Sequence, residues 1–411
     1  MKIGINGMGR IGKLSVWNHV AKKHFSEIVV NVGREVGRGL SDLLQTVEKD
    51  STFGHLGVWL HGYHGGRVIE NMDEVAGTAT IDGVPVRFLR NHRNPQDIQW
   101  RQHGVSLVVD CTGVFMDPTV AGNAAGGALR GHLEAGATKV ILSAPFKIKN
   151  KGQPIPEDAT TVVLGINDAD LDPGRHHVIS SASCTTTCLA FMMKPLLDYF
   201  GANRILSASM VTVHAATPSQ KVLDSVPKTG ASDLRKTRSV MNNIILTTTG
   251  AANTLRLVLP EMAHIGFMAE SVRIPTSTGS LIVLTLNFQS ESQDKPLDRE
   301  QILDVYRRAA QGTYNPWLEC SEEQNVSSDI IGYPHKAAVI EAQETHTRTG
   351  FVTLDPHHIA GLGAEARQAI GDAALKIPVT QATIFGWYDN ELGSYAHLLG
   401  ELTVRVSRQM V

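Results

Sequence analysis

The chain has 411 residues, 42% of them apolar and 19% charged, which is enough length for two domains with separate cores and an ordinary balance for a globular protein. Its 38 basic and 40 acidic side chains nearly cancel, so no strong field draws it to nucleic acid or to an anionic membrane. No run reaches the roughly 18 apolar residues of a spanning helix, and four cysteines (Cys111, Cys184, Cys188, Cys320) are too few for a disulfide framework, so a cytoplasmic setting is expected.

The first stretch, KIGING (Lys2 to Gly7), reads as a short buried strand rather than a basic, cleavable leader. Gly7, Gly9 and Gly12 then form G-x-G-x-x-G, followed by helical spacing over Ile11 to Lys22 and a second strand, EIVVNV (Glu27 to Val32). The first glycine permits a tight turn, the second lets a pyrophosphate approach the backbone, and the third allows close helix–strand packing. The pattern alone also fits a plain glycine turn. Its place between a strand and a helix favours a dinucleotide. An NAD site usually carries a carboxylate about 20 residues past the motif, for the ribose 2′-hydroxyl. Here Val32 stands in its place and Arg34 follows, with Glu35 in the loop. Losing the acid removes repulsion against a 2′-phosphate, and Arg34 either pairs with that phosphate or is a solvated loop charge. NADP is therefore expected to be accepted alongside NAD.

Farther on, VSLVVDCTG (Val105 to Gly113) and TKVILSAP (Thr138 to Pro145) read as further buried strands. Strands alternating with helices predict an α/β, Rossmann-type doubly wound parallel sheet. SASCTTTCLAFMM (Ser181 to Met193) changes the pattern. Apolar residues at Leu189, Met193, Leu196, Leu197 and Phe200 suit one face of a helix that stops at Gly201. A helix starting among Thr185 to Thr187 puts the Cys184 sulfur at its positive end, which favours thiolate, and the hydroxyls and free amides there make an anion site. Cys188 lies one turn on; Cys-x-x-x-Cys without a second Cys/His pair at ligand spacing argues against a metal. A cysteine nucleophile needs a base, and VTVHAATPSQ offers His214 at the end of a strand. The longer strands RILSASMVTVHA, IGFMAESVRIP and GSLIVLTLNF predict a mostly antiparallel sheet in a second, α+β domain. GSYAHLLGELTVRVSRQM, at the end, reads as a helix able to pack back on the first domain.

Taken together, GINGMGRIG, DSTFGH, DCTGVF, SASCTTTC, TVHAATPSQ, TTTGAANT, VRIPTSTGS, VSSDIIGYPH and WYDNELGS occur in the order found in phosphorylating glyceraldehyde-3-phosphate dehydrogenases. From Met1 to about Val406 the chain resembles that family, as an enlarged and divergent member. The resemblance implies an NAD(P)-binding domain over 1–183, completed by a C-terminal helix over about 390–411, and a catalytic domain over 184–389. It makes Cys184 the nucleophile and His214 the base of a phosphorylating aldehyde oxidation through a cysteinyl thioester. Ser183, Thr185, Thr249 and Gly250 match positions around the attacking phosphate, and Thr217, Arg238 and Arg273 those around the substrate phosphate. Arg10 and Ile11 match the pyrophosphate turn; Arg93, Thr112 and Ser143 match positions along the adenosine-to-nicotinamide path; Asn390 matches the residue holding the nicotinamide carboxamide. A sugar phosphate and inorganic phosphate are the implied partners, in a homotetramer, with no nucleic acid, membrane or metal. Erythrose 4-phosphate, with water in place of phosphate, is the alternative substrate, and a non-catalytic regulatory module the remote one.

Some residues depart from the family pattern. Thr187 replaces an asparagine, Phe191 a proline, and in NELGSYAH serine follows the glycine, with Tyr395 one place later than the usual aromatic. Extra length falls around 58–77, 121–131, 147–158 and 345–376. The last of these contains AEARQAIGDAALK, which reads as an added helix, and these segments carry His61, His64, His357 and His358, read as loop residues rather than ligands.

Overall fold

A computed structural model describes residues 1–150, 152–290, 296–371 and 374–410. Lys151, 291–295, Asp372, Ala373 and Val411, on which parts of the expected domains, inserted segments and last helix fall, lie outside the described residues.

The first half forms a nine-stranded sheet. β1 (Lys2–Asn6) is followed by α1 (Arg10–Lys22), β2 (Glu27–Asn31), β3 (Val105–Asp110) and β4 (Lys139–Leu142). β1 pairs with β2 on one side and β3 on the other, and β4 lies beyond β3, all parallel. Val178–Ser180 and Ala159–Thr161 continue the sheet past β4, and Val84–Leu89 continues it past β2, again in parallel. Thr78–Ile81 and Ile69–Asp73 close that edge antiparallel, the last strand lying within the expected insertion at 58–77. Short runs such as Ile28, Val29 and Val30 are fully buried because both sheet faces are covered, which is why they read as continuous apolar stretches.

α2 (Cys184–Phe200) leads out of this sheet into the second one. It stops at Gly201, whose φ of 75° suits a residue without a side chain. Leu189, Met193, Leu196 and Leu197 are buried as the spacing predicts, but so is everything from Thr185 to Met193. The helix is therefore embedded on all sides over its first turns rather than amphipathic.

The second sheet has eight strands. Its centre is β5 (Ile205–Ala215), followed in the chain by α3 (Ala251–Val258), β6 (Gly266–Ile274), β7 (Ser280–Gln289) and β8 (Leu375–Tyr388). β5 pairs antiparallel with β7, and β7 with β8. The sheet is mostly antiparallel, as expected, and β5 and β6 run parallel within it from Ser207↔Gly266 to Ala215↔Ile274. The crossover between them carries α3, and a parallel pair requires such a long connection. Leu318–Ser321 with Ala338–Glu341 is a second parallel pair, so the sheet is mixed and mostly antiparallel.

α4 (His397–Arg408) follows an irregular wide turn over Leu392–Ala396. Its Leu399, Leu402, Val404 and Val406 share one core with Ile3, Ile5 and Leu14 of the first sheet. The expected added helix is shorter than AEARQAIGDAALK: it spans Ala364–Ile370, Gly371 at φ 66° ends it, and Leu375 already belongs to β8. Among the described residues no helix is long and apolar enough to cross a membrane.

Candidate active site

Cys184 is the first residue of α2. Ser183 caps the helix from an extended conformation (φ −132°, ψ 162°), its Oγ accepting from Thr186 N at 3.1 Å. Ala182, just upstream, sits at φ 57°, an uncommon conformation for a residue with a Cβ. Tyr395 braces this bend: its hydroxyl lies 2.9 Å from Ser181 Oγ and donates to the Ala182 carbonyl at 3.3 Å. The aromatic displaced by one position in the sequence thus supports the turn that launches the cysteine.

β5 ends beside that turn. Cys184 Sγ lies 3.6 Å from His214 Nε2. The ring's other nitrogen, Nδ1, donates to the Ala215 carbonyl at 2.7 Å. A carbonyl only accepts, so the neutral ring carries its proton on Nδ1 and turns the lone pair of Nε2 to the sulfur. Arg273 is the register partner of His214 on the parallel neighbour β6. Its Nη1 reaches the Ala215 carbonyl at 3.4 Å, while its buried Nε has no partner. A half-buried guanidinium with an unused, buried donor is half of an anion site.

The electrostatics temper the reading made from the helix end. Burial pushes the Cys184 thiol up to about 11, with Arg273 and hydrogen bonds from Thr185 pulling the other way. Burial, reinforced by Arg273, drops His214 to about 3, against the bond to Ala215. Each group alone is therefore held neutral. Moving the proton from Sγ to Nε2 creates two opposite charges at contact distance, and at 4 Å such charges attract by about 4 kcal/mol even at an effective dielectric of 20. Pair formation offsets much of what each charge loses to burial.

Tyr388, at the end of β8, was not singled out by sequence. Its hydroxyl bridges Thr185 Oγ1 (2.9 Å) and Thr212 Oγ1 (2.8 Å), and its ring stands edge-on to His214, 6.0 Å between centroids. It locks the cysteine helix to the histidine strand. Beyond it, Asn390 Oδ1 accepts from the Ser280 hydroxyl at 3.0 Å, which assigns its outer donors to Nδ2, and the Thr278 hydroxyl lies at the same distance.

The other phosphate-site residues are less tightly gathered. Gly250 is the N-cap of α3, and Thr249 Oγ1 accepts from Ala251 N at 3.2 Å; α3 packs against α2. Thr217 is tied to Gln220, its Oγ1 donating to Oε1 at 2.8 Å. Arg238 is exposed and paired with Asp224 at 3.0 Å, so it is not bonded into the Cys184 cluster. The Asp224 bond is made through Nε.

On the first sheet, Gly7 (φ 98°) closes its turn by donating to Asn31 O at 2.9 Å, and a Cβ on Gly12 would lie 1.9 Å from Gly7 O. A Cβ on Gly9 would meet no protein atom within 4 Å. The second glycine therefore fronts open space at a helix N-terminus without a side-chain cap, which fits a pyrophosphate approaching the backbone. Ile11 is half-buried in the first turn of α1. The Arg10 guanidinium is engaged elsewhere, with Asp50 and with Glu391 (Nε–Oε1 3.0 Å), leaving its backbone to the turn. Thr112 N and Oγ1 both donate to Asp110 Oδ1 (2.9 and 2.6 Å), and the buried carboxylate is held in turn by Asn6 and His132. Ser143 N donates to Asp110 O at 2.9 Å. Val32 is half-buried and Arg34 exposed; Arg93 Nε reaches Gly33 O at 3.3 Å, so the two arginines flank one loop.

Cys188 is fully buried among apolar side chains, and burial pushes its thiol well up. Of the histidines in the extra segments, His61 pairs with Asp82 at 2.8 Å and His358 lies 3.9 Å from Asp355.

Residues 1–118 match the family model "Glyceraldehyde 3-phosphate dehydrogenase, NAD binding domain", and residues 183–354 match "Glyceraldehyde 3-phosphate dehydrogenase, C-terminal domain". Glyceraldehyde-3-phosphate dehydrogenase 2 of Streptomyces avermitilis is 32% identical, with all of this chain and 99% of the relative covered. Glyceraldehyde-3-phosphate dehydrogenase 2 of Bacillus subtilis is 31% identical over 100% and 98%. The Geobacillus stearothermophilus enzyme is 32% identical over 99% and 98%. With both halves matched and relatives aligned end to end, the chain belongs to the glyceraldehyde-3-phosphate dehydrogenase family.

Proposed function

We propose that this chain oxidises glyceraldehyde 3-phosphate to an acyl phosphate, with Cys184 as nucleophile and His214 as base. The observation that carries the reading is the 3.6 Å approach of Sγ to an Nε2 whose lone pair is aimed by the Nδ1–Ala215 bond. The thiol proton passes to Nε2 as sulfur adds to the aldehyde carbon, and Nε2 then delivers it to the new alkoxide, giving a hemithioacetal and a neutral imidazole again. The hemithioacetal hydroxyl stands within reach of the same imidazole, which takes its proton as the carbon is oxidised and a thioester forms on Cys184. NAD, when bound, supplies the hydride acceptor. Inorganic phosphate then attacks the thioester carbonyl, the carbon–sulfur bond breaks, and the acyl phosphate leaves with Cys184 regenerated.

Gly7, Gly9, Arg10, Ile11 and Gly12 would hold the pyrophosphate through backbone donors, and Asn390 Nδ2 the carboxamide. Arg273 and Thr217, joined by Arg238, form the substrate-phosphate site in this reading; Ser183, Thr185, Thr249 and Gly250 form the site for the attacking phosphate. NADP is accepted as well as NAD: Val32 brings no charge against a 2′-phosphate, and Arg34 and Arg93 flank that loop. The working form is a homotetramer, a reading supported by exposed apolar side chains gathered on 222–246, among them Leu223, Val226 and Ile244. Four free thiols suit a reducing cytoplasm. The chain divides functionally into 1–183 with 390–411, and 184–389.

Steady-state assays with glyceraldehyde 3-phosphate and erythrose 4-phosphate, each with NAD and NADP, with and without phosphate, test the whole reading. Phosphate-dependent oxidation of the triose is expected. Turnover indifferent to phosphate would overturn it, and sedimentation velocity tests the tetramer.

A further inference from the structure

The cofactor clamp and the base are joined by one buried hydroxyl. Ser280 Oγ donates to Asn390 Oδ1 at 3.0 Å and accepts from Ala215 N at 3.1 Å. Ala215 is the residue whose carbonyl anchors His214 Nδ1. Ser280 and Ala215 are fully buried, and Asn390 and His214 are nearly so, at 7% and 4% exposure. A serine hydroxyl has a single proton, so its direction is settled: the backbone N–H of Ala215 requires an acceptor, and the proton goes to Asn390. Thr278 does not duplicate this role. Its Oγ1 lies 2.6 Å from the carboxylate of Asp389 and 3.0 Å from Asn390 Oδ1, and the shorter, charge-assisted bond takes its one proton.

We infer that Ser280 is a positioning residue that registers the carboxamide-holding Asn390 against the base His214, so that nicotinamide ring face and proton acceptor are set together. The inference rests on the roles proposed above for those two residues. β7 carries Ser280 at its first position, directly opposite Tyr388 on β8, so the same rung of the sheet aligns the clamp, the base and the hydroxyl that links cysteine helix to histidine strand. Removing the Ser280 hydroxyl leaves the Ala215 N–H buried without a partner and frees Asn390 to rotate its amide.

The test is stereochemical. Glyceraldehyde 3-phosphate deuterated at C1 is oxidised by the full-length enzyme with NAD, and the face of the ring that receives deuterium is read by NMR. Wild-type protein is expected to label one face. Ser280→Ala is expected to label both measurably, with kcat lowered by about 10- to 100-fold. Ser280→Thr keeps both hydrogen bonds and is expected to restore single-face transfer. Ser280→Cys keeps the volume and weakens both bonds, so it carries the same test if the alanine variant fails to fold. Single-face transfer at the wild-type rate in Ser280→Ala or Ser280→Cys overturns the inference. Wild-type protein that oxidises no aldehyde overturns instead the reading of the site on which it rests.

Discussion

Arg273 and His214 are register partners on parallel strands, and both send a donor to the carbonyl of Ala215. This places a permanent cation next to the base, where it depresses imidazole protonation and at the same time draws the nearby thiol toward ionisation. One guanidinium therefore acts on both ends of the same proton transfer, easing its release from the sulfur while opposing its capture by the ring.

Replacing Cys184 by serine removes the nucleophile with little change in shape. Aldehyde oxidation is expected to fall by about a thousandfold or more, while NAD binding and melting temperature hold. Stoichiometric alkylation of a single thiol in the native protein, with parallel loss of turnover, checks the assignment.

His214→Asn is expected to lower kcat by about 10²- to 10⁴-fold. Because burial and Arg273 place the His214 acid limb below its ordinary 6.5, the wild-type pH profile should keep its base into mildly acidic buffer. A rate that halves at the ordinary histidine value of about 6.5 counts against the assignment.

Arg273→Leu removes the cation from the sulfur and from the proposed phosphate site. Hydrogen bonds to charged groups contribute about 1.5–3 kcal/mol, so KM for the sugar phosphate should rise by about 10- to 100-fold. The pH dependence of iodoacetamide reaction should shift upward, since the Arg273 pull on the Cys184 thiol is gone.

The Gly-rich turn separates folding from ligand binding. Gly9→Ala adds a Cβ where no protein atom lies within 4 Å, so the melting temperature should hold while cofactor affinity falls. Gly12→Ala puts a Cβ 1.9 Å from Gly7 O and should lower the melting temperature itself. Thermal melts and NAD titrations of both variants read out the difference.

Acid stability follows from the buried histidines. His19, His214 and His397 are each held near 3, in every case chiefly by burial. Their folded values lie below the unfolded one, so the stability they confer is complete above about pH 6.5 and lost as pH falls from there toward 3. Each lost histidine changes that slope by at most about 1.4 kcal/mol per pH unit. His19 has both ring nitrogens buried without partners. His19→Leu should therefore raise the unfolding free energy at pH 5 relative to pH 7.5, measured by urea denaturation.

What was legible in the sequence was what local chemistry encodes. The Gly7–Gly9–Gly12 turn, the Cys184 helix start and its stop at Gly201 each carry their signal within a few residues. Ser280 and Tyr388 fall within two of the matched stretches, VRIPTSTGS and WYDNELGS, yet nothing local gives either a role. They are ordinary strand residues whose partners lie 65 to 203 positions away, and only the sheet brings them together. The same reason hid the parallel course of β5 and β6, since alternation along a strand does not encode the direction of its neighbour. Arg238 reads as a phosphate ligand by position, yet its Asp224 partner, fourteen residues away, has no pattern to announce it. Of the segments expected to be extra, 69–73 extends a sheet edge and 346–354 lines β8, and both placements depend on pairing.

The core shared by α4 with Ile3, Ile5 and Leu14 has a consequence during synthesis. On the ribosome, the nucleotide-binding half emerges first but cannot shut its hydrophobic interior until α4 has been made, and every strand of the second sheet precedes α4 in the chain. Until then a groove beside Leu14 stays wet. Maturation of the dinucleotide fold is thereby postponed until the catalytic half has been synthesised.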